Sequence, residues 1–328
     1  MSDRTLLAIA DVAKIFGGGQ TLFGGRKPAV HAVQSLSLDV RKGETLGIVG
    51  ESGCGKSTLA RLMVGLDLPT AGRITLDGRD LVAEARRDRR ALARKVQYVF
   101  QDPVASLNPR KTIRTILEAP LIHLAGLNGD ARAARLEELM AAVNLAPEFL
   151  ERYPHEFSGG QAQRIGIARA LAAGPELIVL DEPVSALDVS IQAQVLNLLD
   201  DLKDRFGLTY VFISHDLSVV ESVSDRVAVM YFGRIAELGP ARSVFAAPRH
   251  PYTDLLMRSA PAPGRHDLIP EDVNTELPDP YNPPPGCAFY ARCPNATDVC
   301  TSRPPALDTI PGGGADHLVA CYHPNGLG

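Results

Sequence analysis

The sequence predicts an α/β fold whose core is a mainly parallel sheet covered by helices on both faces. Two observations carry this. The first is a strand–loop–helix unit: the apolar run Thr45–Val49, a glycine-rich loop from Gly50 to Gly55, and a helical run from Thr58 to Val64. The second is the alternation of short apolar runs with helical segments after it. Parallel strands need such crossovers, and the crossovers cover both faces. Ligands then gather at the carboxyl ends of the strands.

The elements follow in order. Leu6–Ile9 reads as a short strand, followed by Lys14-Ile15-Phe16 and a Gly-rich insert, 17–25. Val33–Val40, with Val33, Leu36, Leu38 and Val40 apolar, reads as a strand. Gly72–Leu76 and Val96–Phe100 read as two more. Between them, Ala83–Lys95 carries Arg86, Arg87, Arg89, Arg90, Arg94 and Lys95, the pattern of a solvated helix face. Thr112–Leu124, Ala131–Asn144 and Gly160–Ala173 look helical and predict an all-helical insertion. Leu177–Leu180 is a buried strand, and Ser190–Phe206 a helix with Val195, Leu198, Leu199 and Leu202 on one face. Thr209–Ile213 and Arg226–Met230 are buried strands, and Gly233–Leu238 an edge strand. Pro261–Gly286 is rich in Pro and polar residues and reads as a linker or irregular wrap. No internal repeat is present.

At 328 residues the chain exceeds one ordinary domain, so a large core domain with an appendage is expected. The composition, 45% apolar and 22% charged, is that of a soluble globular protein. A net charge of −4 does not suggest a nucleic-acid partner. No apolar run approaches the ~18 residues of a membrane span. Met1–Ala10 holds too short an apolar stretch for a signal peptide. A cytosolic location with reduced thiols follows, with any membrane association made through partners. Of five cysteines, Cys54 lies in the glycine-rich loop and the other four fall in the last 42 residues.

The loop fits the phosphate-loop pattern from Gly50 to Ser57. Its backbone N–H groups, from Gly50, Glu51, Ser52, Gly53, Cys54, Gly55 and on to Thr58, must all face one phosphate chain. Glycines at 50, 53 and 55 permit the unusual dihedrals and close approach. The helix N-terminus adds partial positive charge. Lys56 is placed to reach the β- and γ-phosphates, and Ser57 to hold Mg²⁺. Leu177–Glu182 sets four apolar residues before two carboxylates. Asp181 at the strand end can hold Mg²⁺ through water, and Glu182 can polarise an attacking water. Phe157-Ser158-Gly159-Gly160-Gln161-Ala162-Gln163-Arg164 offers a second anion site: Ser158 is a good N-cap, and the glycines leave a helix N-terminus bare.

That last segment resembles the signature motif of ATP-binding cassette (ABC) ATPases, with Phe157 where Leu is usual. Gln101 in Val99–Pro103 then resembles the Q-loop, Ser185-Ala186-Leu187-Asp188 the D-loop, and His215 the switch histidine. Phe16 is the candidate for stacking on adenine. The resemblance covers roughly residues 5–245. It implies a P-loop NTPase of ABC type. The cassette would span 1–246, with an antiparallel β subdomain and a helical subdomain at about 104–173. It also implies ATP and Mg²⁺ as cofactors, Gln101 joining Ser57 and Asp181 at the metal. One chain's phosphate loop and its partner's signature, here Ser158, Gly159, Gly160 and Gln161, would enclose one ATP, with Asp188 at the dimer interface. Lys56, Gln101, Glu182 as general base and His215 would serve in-line attack of water on the γ-phosphate.

Ser106-Leu107-Asn108-Pro109-Arg110 and Asp188–Gln194 are similar to the dipeptide/oligopeptide importer ATPases, as are His250-Pro251-Tyr252-Thr253, Pro284–Cys287 and Arg292-Cys293-Pro294. The resemblance implies a C-terminal extension over 247–328. It also implies docking beneath two transmembrane permease subunits at the cytoplasmic face of the inner membrane. A second ABC ATPase, in a heterodimer, and an extracytoplasmic substrate-binding protein would complete the importer. Nickel and phosphonate-type systems share parts of the pattern, and a soluble ABC protein of repair or translation is the alternative of another class. Cys287, Cys293, Cys300 and Cys321 form C-x5-C-x6-C-x20-C. Four thiolates suit an iron–sulfur cluster or zinc. The tight pairs of structural zinc are absent, and the resemblance implies a [4Fe–4S] cluster, with zinc or merely buried, metal-free cysteines as the alternatives. His317 and His323 lie close enough in sequence to substitute as ligands.

Overall fold

The structure, a computed structural model, describes residues 4–19, 28–259, 277–310, 314 and 316–326. Its strands are β1 (Thr5–Gly17), β2 (Ala29–Arg41), β3 (Thr45–Val49), β4 (Ala71–Leu76), β5 (Arg79–Asp80), β6 (Val96–Val99), β7 (Leu177–Asp181), β8 (Thr209–Ile213), β9 (Arg226–Tyr231), β10 (Arg234–Pro240), β11 (Asp308–Thr309) and β12 (Leu318–Val319). Its helices are α1 (Lys56–Met63), α2 (Leu81–Arg87), α3 (Arg89–Lys95), α4 (Ile113–His123), α5 (Gly129–Ala142), α6 (Gly159–Ala172), α7 (Val189–Phe206), α8 (Leu217–Val223), α9 (Ala241–Ala246), α10 (Pro251–Ser259) and α11 (Val299–Ser302).

The core sheet runs β11-β12-β10-β9-β3-β8-β7-β6. The span from β9 to β6 is parallel throughout. Every residue of β3, β7, β8 and β9 is buried, as a sheet covered on both faces demands. A second sheet, β2-β1-β4-β5, is antiparallel. Its long strands β1 and β2 slip register several times, with Asp11 and Ser35 at positive φ where the slips occur. This is the expected architecture: parallel core, antiparallel subdomain and helical insertion. Helices α4, α5 and α6 bury Ile116, Leu117, Leu136, Leu139, Met140 and Ile165 in one continuous cluster with the sheet. On α7 the buried residues are the expected Val195, Leu198, Leu199 and Leu202.

Two expectations change. The basic stretch before β6 is two helices, broken at Asp88, whose carboxylate caps the second by accepting from Arg90 N and Ala91 N at 3.0 Å each. And β10 is no edge strand, because Glu237 and Leu238 pair with Val319 and Leu318 of β12. A strand of two residues supplies no periodicity to read. Residues 260–276, most of the Pro-rich stretch, and 20–27 of the Gly-rich insert lie outside the described residues.

Below β10 the tail is anchored on a buried carboxylate. Glu237 accepts from Arg249 N and His250 N, both at 2.9 Å, and lies 2.7 Å from His317 Nε2. Desolvation pushes the pKa of the fully buried His250 down to about 4, against 6.5 for an ordinary histidine. The unfolded chain therefore takes up this proton first as pH falls. The stability His250 contributes is full above about pH 6.5 and is lost on the way down to about pH 4. In urea unfolding between pH 7.5 and 4.5, His250→Asn should lose about 2–3 kcal/mol less than the native chain does.

Candidate active site

The phosphate loop is built by close backbone contact. Gly50, Gly53 and Gly55 have φ of 154°, 79° and 104°. A Cβ at Gly50 would lie 2.1 Å from Met230 O, and one at Gly55 2.3 Å from Ala32 O. Only glycine fits either place. Gly55 also caps α1, so the helix N-terminus opens directly onto the loop. The Lys56 ammonium is nearly buried and rests on the loop, 2.7 Å from Gly50 O and 3.0 Å from Glu51 O. Cys54 is buried behind the loop and its thiol pKa is raised by desolvation, so it acts as packing.

A cavity of about 650 Å³ opens over this loop, with Lys56, Ser57, Thr58, Gln101, Glu182 and His215 among its walls. Ser52, Gly53 and Gly55 line it as well. Asp181 and Glu182 stand at the carboxyl end of β7, as the sheet rule requires. Ser57 Oγ is 3.4 Å from Asp181 Oδ1, and Tyr98 donates its hydroxyl to Asp181 Oδ2 at 2.5 Å. Burial, and then the bond to Asp181, raise the Tyr98 pKa, so the phenol keeps its proton and its bond. A serine hydroxyl beside one tethered carboxylate fits Mg²⁺, a hard cation that takes few protein oxygens and keeps several waters. Glu182 has φ 49°. Its carboxylate accepts from Gln101 Nε2 at 2.9 Å and lies 3.3 Å from His215 Nδ1. Three segments far apart in sequence thus converge on one carboxylate beside the Lys56 pocket.

Other expected residues stand elsewhere. Phe16, 40% exposed, pairs with the cavity residue Val30 but is not itself among the lining residues described; the Lys14 ammonium lies 4.8 Å from its ring. Ser158 caps α6, its Oγ accepting from Gln161 N at 3.3 Å while Gln161 Oε1 accepts from Ser158 N at 3.1 Å. Ser158 and Gly159 are exposed and outside the cavity, as is Asp188 before α7. Gly160 is buried where a Cβ would lie 2.4 Å from Ile191 of α7.

The tail thiols Cys287, Cys293, Cys300 and Cys321 do converge, with His323, on one cavity of about 10 Å³. That is room for about one water. Burial raises the pKa of Cys287 and Cys293 and pushes Cys321 up to about 12 in the metal-free chain. Among the described residues no group of three or more His, Cys, Asp or Glu is arranged to hold a metal ion. The donor set fits an iron–sulfur cluster or zinc in kind, and its arrangement fits neither. His317, a candidate substitute ligand, is bound to Glu237 instead.

Two contacts had no role in the sequence reading. Tyr252 Oη accepts from Glu51 N at 2.9 Å, and Arg292 forms a salt bridge with the Glu51 carboxylate. Both residues sit in motifs visible in sequence, yet nothing local tells which loop they touch. Tyr98 carries no such signal at all.

Residues 33–185 match the family model described as ABC transporter, and residues 236–300 match the oligopeptide/dipeptide transporter C-terminal region. The chain is 48% identical over 325 residues to the oligopeptide transport ATP-binding protein AppF of Bacillus subtilis, covering 98% of both. The chain belongs to the ABC transporter ATPases. The dipeptide transport ATP-binding protein DppF of Escherichia coli is 46% identical, with 97% of this chain and 94% of that protein covered. Among solved structures, the dimeric structure of the bacterial ABC transporter cassette MJ0796 superposes with a TM-score of 0.64 at 29% identity, over 72% of this chain and 99% of that one. As an ABC ATPase the chain binds and hydrolyses ATP. Among the described residues no helix is long and apolar enough to cross a membrane.

The loop geometry sets an expected outcome. Gly55→Ala forces a backbone shift against Ala32, an overpacking of about 1–3 kcal/mol. ATP affinity measured by calorimetry should fall on the order of 10- to 100-fold, and the melting temperature should drop by about 2–4 °C per kcal/mol of that cost.

Proposed function

We propose that this chain is the ATP-hydrolysing subunit of a di- or oligopeptide importer. Its catalytic residues are Lys56, Gln101, Glu182 and His215. The observation that carries the site is the Glu182 carboxylate, held by Gln101 and facing His215 beside the Lys56 pocket. Glu182 takes the proton of the attacking water; Gln101 and His215 hold it in place. Lys56 leaves the loop carbonyls for the β- and γ-phosphates, and the α1 N-terminus adds its dipole. Mg²⁺ held at Ser57 and Asp181, with Gln101 adjoining, supplies charge neutralisation for the phosphates when bound. The backbone of Gly50–Thr58 cradles them, and Phe16 meets the adenine.

Ser158, Gly159, Gly160, Gln161 and Asp188 stand outside this chain's cavity and serve a partner's ATP. The dimeric state of the similar MJ0796 cassette supports that reading. The division is a cassette over 1–246, with its helical subdomain at about 104–173, and an extension over 247–328. Relatives named for oligopeptide and dipeptide transport, and the match to that family's C-terminal region, favour peptide cargo over nickel or phosphonates. The partners are then two permease subunits, a second ATPase and an extracytoplasmic binding protein, with this chain peripheral on the cytoplasmic face. A [4Fe–4S] cluster, or zinc in its place, is supported only by the convergence of the four tail thiols. Iron, sulfide and zinc analysis after anaerobic purification decides it: no metal in a folded chain removes both.

Glu182→Gln should lower ATP turnover in the complex by about 10²–10⁴-fold while an ATP-dependent dimer accumulates on gel filtration. Turnover at the native rate would sink the assignment. Peptide-stimulated turnover in the reconstituted complex tests the cargo.

A further inference from the structure

The second residue of the phosphate loop is gripped by the C-terminal part of the chain. Glu51 N donates to Tyr252 Oη at 2.9 Å. Arg292 donates to the Glu51 carboxylate through two parallel bonds, Nη1 to Oε2 at 2.8 Å and Nη2 to Oε1 at 2.9 Å. The Arg292 side chain is 6% exposed and lies against Tyr231 and Phe289, its guanidinium carbon 5.9 and 5.6 Å from their ring centres. Tyr231, Tyr252 and Phe289 pack on one another with centres 4.5–5.4 Å apart. The fork is therefore rigid, and its geometry specifies a carboxylate.

Glu51 is the one acidic residue of Gly50–Thr58, a loop that must receive a polyanion. Left unpaired, its carboxylate would oppose the phosphates in the loop that holds Lys56, whose Nζ lies 3.0 Å from the Glu51 backbone carbonyl. We propose that Arg292 is a positioning residue for ATP binding: it neutralises Glu51 and turns its carboxylate away from the triphosphate, so that the C-terminal extension completes the nucleotide site. This rests on reading Gly50–Thr58 as the ATP phosphate loop.

The test is a double-mutant cycle on the full-length chain, with Mg-ATP affinity read by calorimetry at low salt. Arg292→Gln should weaken binding about tenfold, and less at high salt, because the freed carboxylate is partly screened. In a Glu51→Gln background the same substitution should cost less than about twofold, since no carboxylate is left to neutralise. Equal losses in both backgrounds would show a packing role and overturn the proposal, as would native affinity in Arg292→Gln alone. Should Arg292→Gln not fold, Arg292→Lys serves: it keeps the charge and loses the fork, and should bind ATP less than about threefold more weakly in the native background. A larger loss, unrelieved by Glu51→Gln, would overturn the proposal. A native chain that binds no ATP, and is unaffected by Lys56→Ala, would refute the phosphate-loop reading itself.

Discussion

Backbone packed directly on backbone, with no side chain between, holds the phosphate loop in place. Gly50 lies under the Met230 carbonyl of β9 and Gly55 under the Ala32 carbonyl of β2. Hydrogen bonds lock the same contact: Gly233 N donates to Cys54 O at 2.8 Å, and Gln34 N to Gly233 O at 2.8 Å. Three segments, near residues 33, 53 and 232, are thereby fixed to one another. The loop is thereby shaped before any ligand arrives, so little ordering remains to oppose binding. Not all of its N–H groups are free for phosphate, however, because Glu51 N donates to Tyr252 Oη and Cys54 N to Glu51 O. The antiparallel sheet is tied to the core sheet here through β2, and again where Arg226 of β9 donates to Asp39 of β2.

From that anchored loop the chemistry spreads along the strand ends. β7 delivers Asp181 and Glu182 beside α1, and the loops after β6 and β8 deliver Gln101 and His215. Glu182 sits at positive φ, a strained backbone that its N–H bond to Ile213 O helps to hold at 2.9 Å. The capped α6 turn that bears Ser158 packs through Gly160 onto α7, the helix that follows Glu182 and Asp188. The α6 N-terminus and the segment that carries Glu182 are therefore connected through one packed contact.

The C-terminal part is continuous with this machinery. β12 extends the core sheet beyond β10, and buried Glu237 gathers His250, Arg249 and His317 beneath it. From there Tyr252 and Arg292 reach the loop, and His31 N donates to Pro280 O at 3.1 Å across the mouth of the cavity. The aromatic cluster of Tyr231, Tyr252 and Phe289 packs between the Arg292 that holds Glu51 and the segment that bears Cys287.

Sequence alone determined what rests on local rules. The glycine spacing of the phosphate loop, the cap at Ser158, the apolar stripe of α7 and the carboxylates ending β7 all follow from dihedral preference and periodicity. Those act within a few residues. Order along the chain then placed Gln101, Glu182 and His215 in one family pattern, but did not show that Gln101 and His215 both reach the Glu182 carboxylate. Tertiary structure decided that convergence, along with the Tyr98 bond to Asp181, the Arg292 fork on Glu51, the covering of β10 by β12 and the gathering of the four tail thiols around one small cavity. The Tyr98–Asp181 and Arg292–Glu51 contacts join residues 83 and 241 apart in sequence, meeting in a packed interior. Such meetings are set by the whole core and leave no periodic mark in either segment.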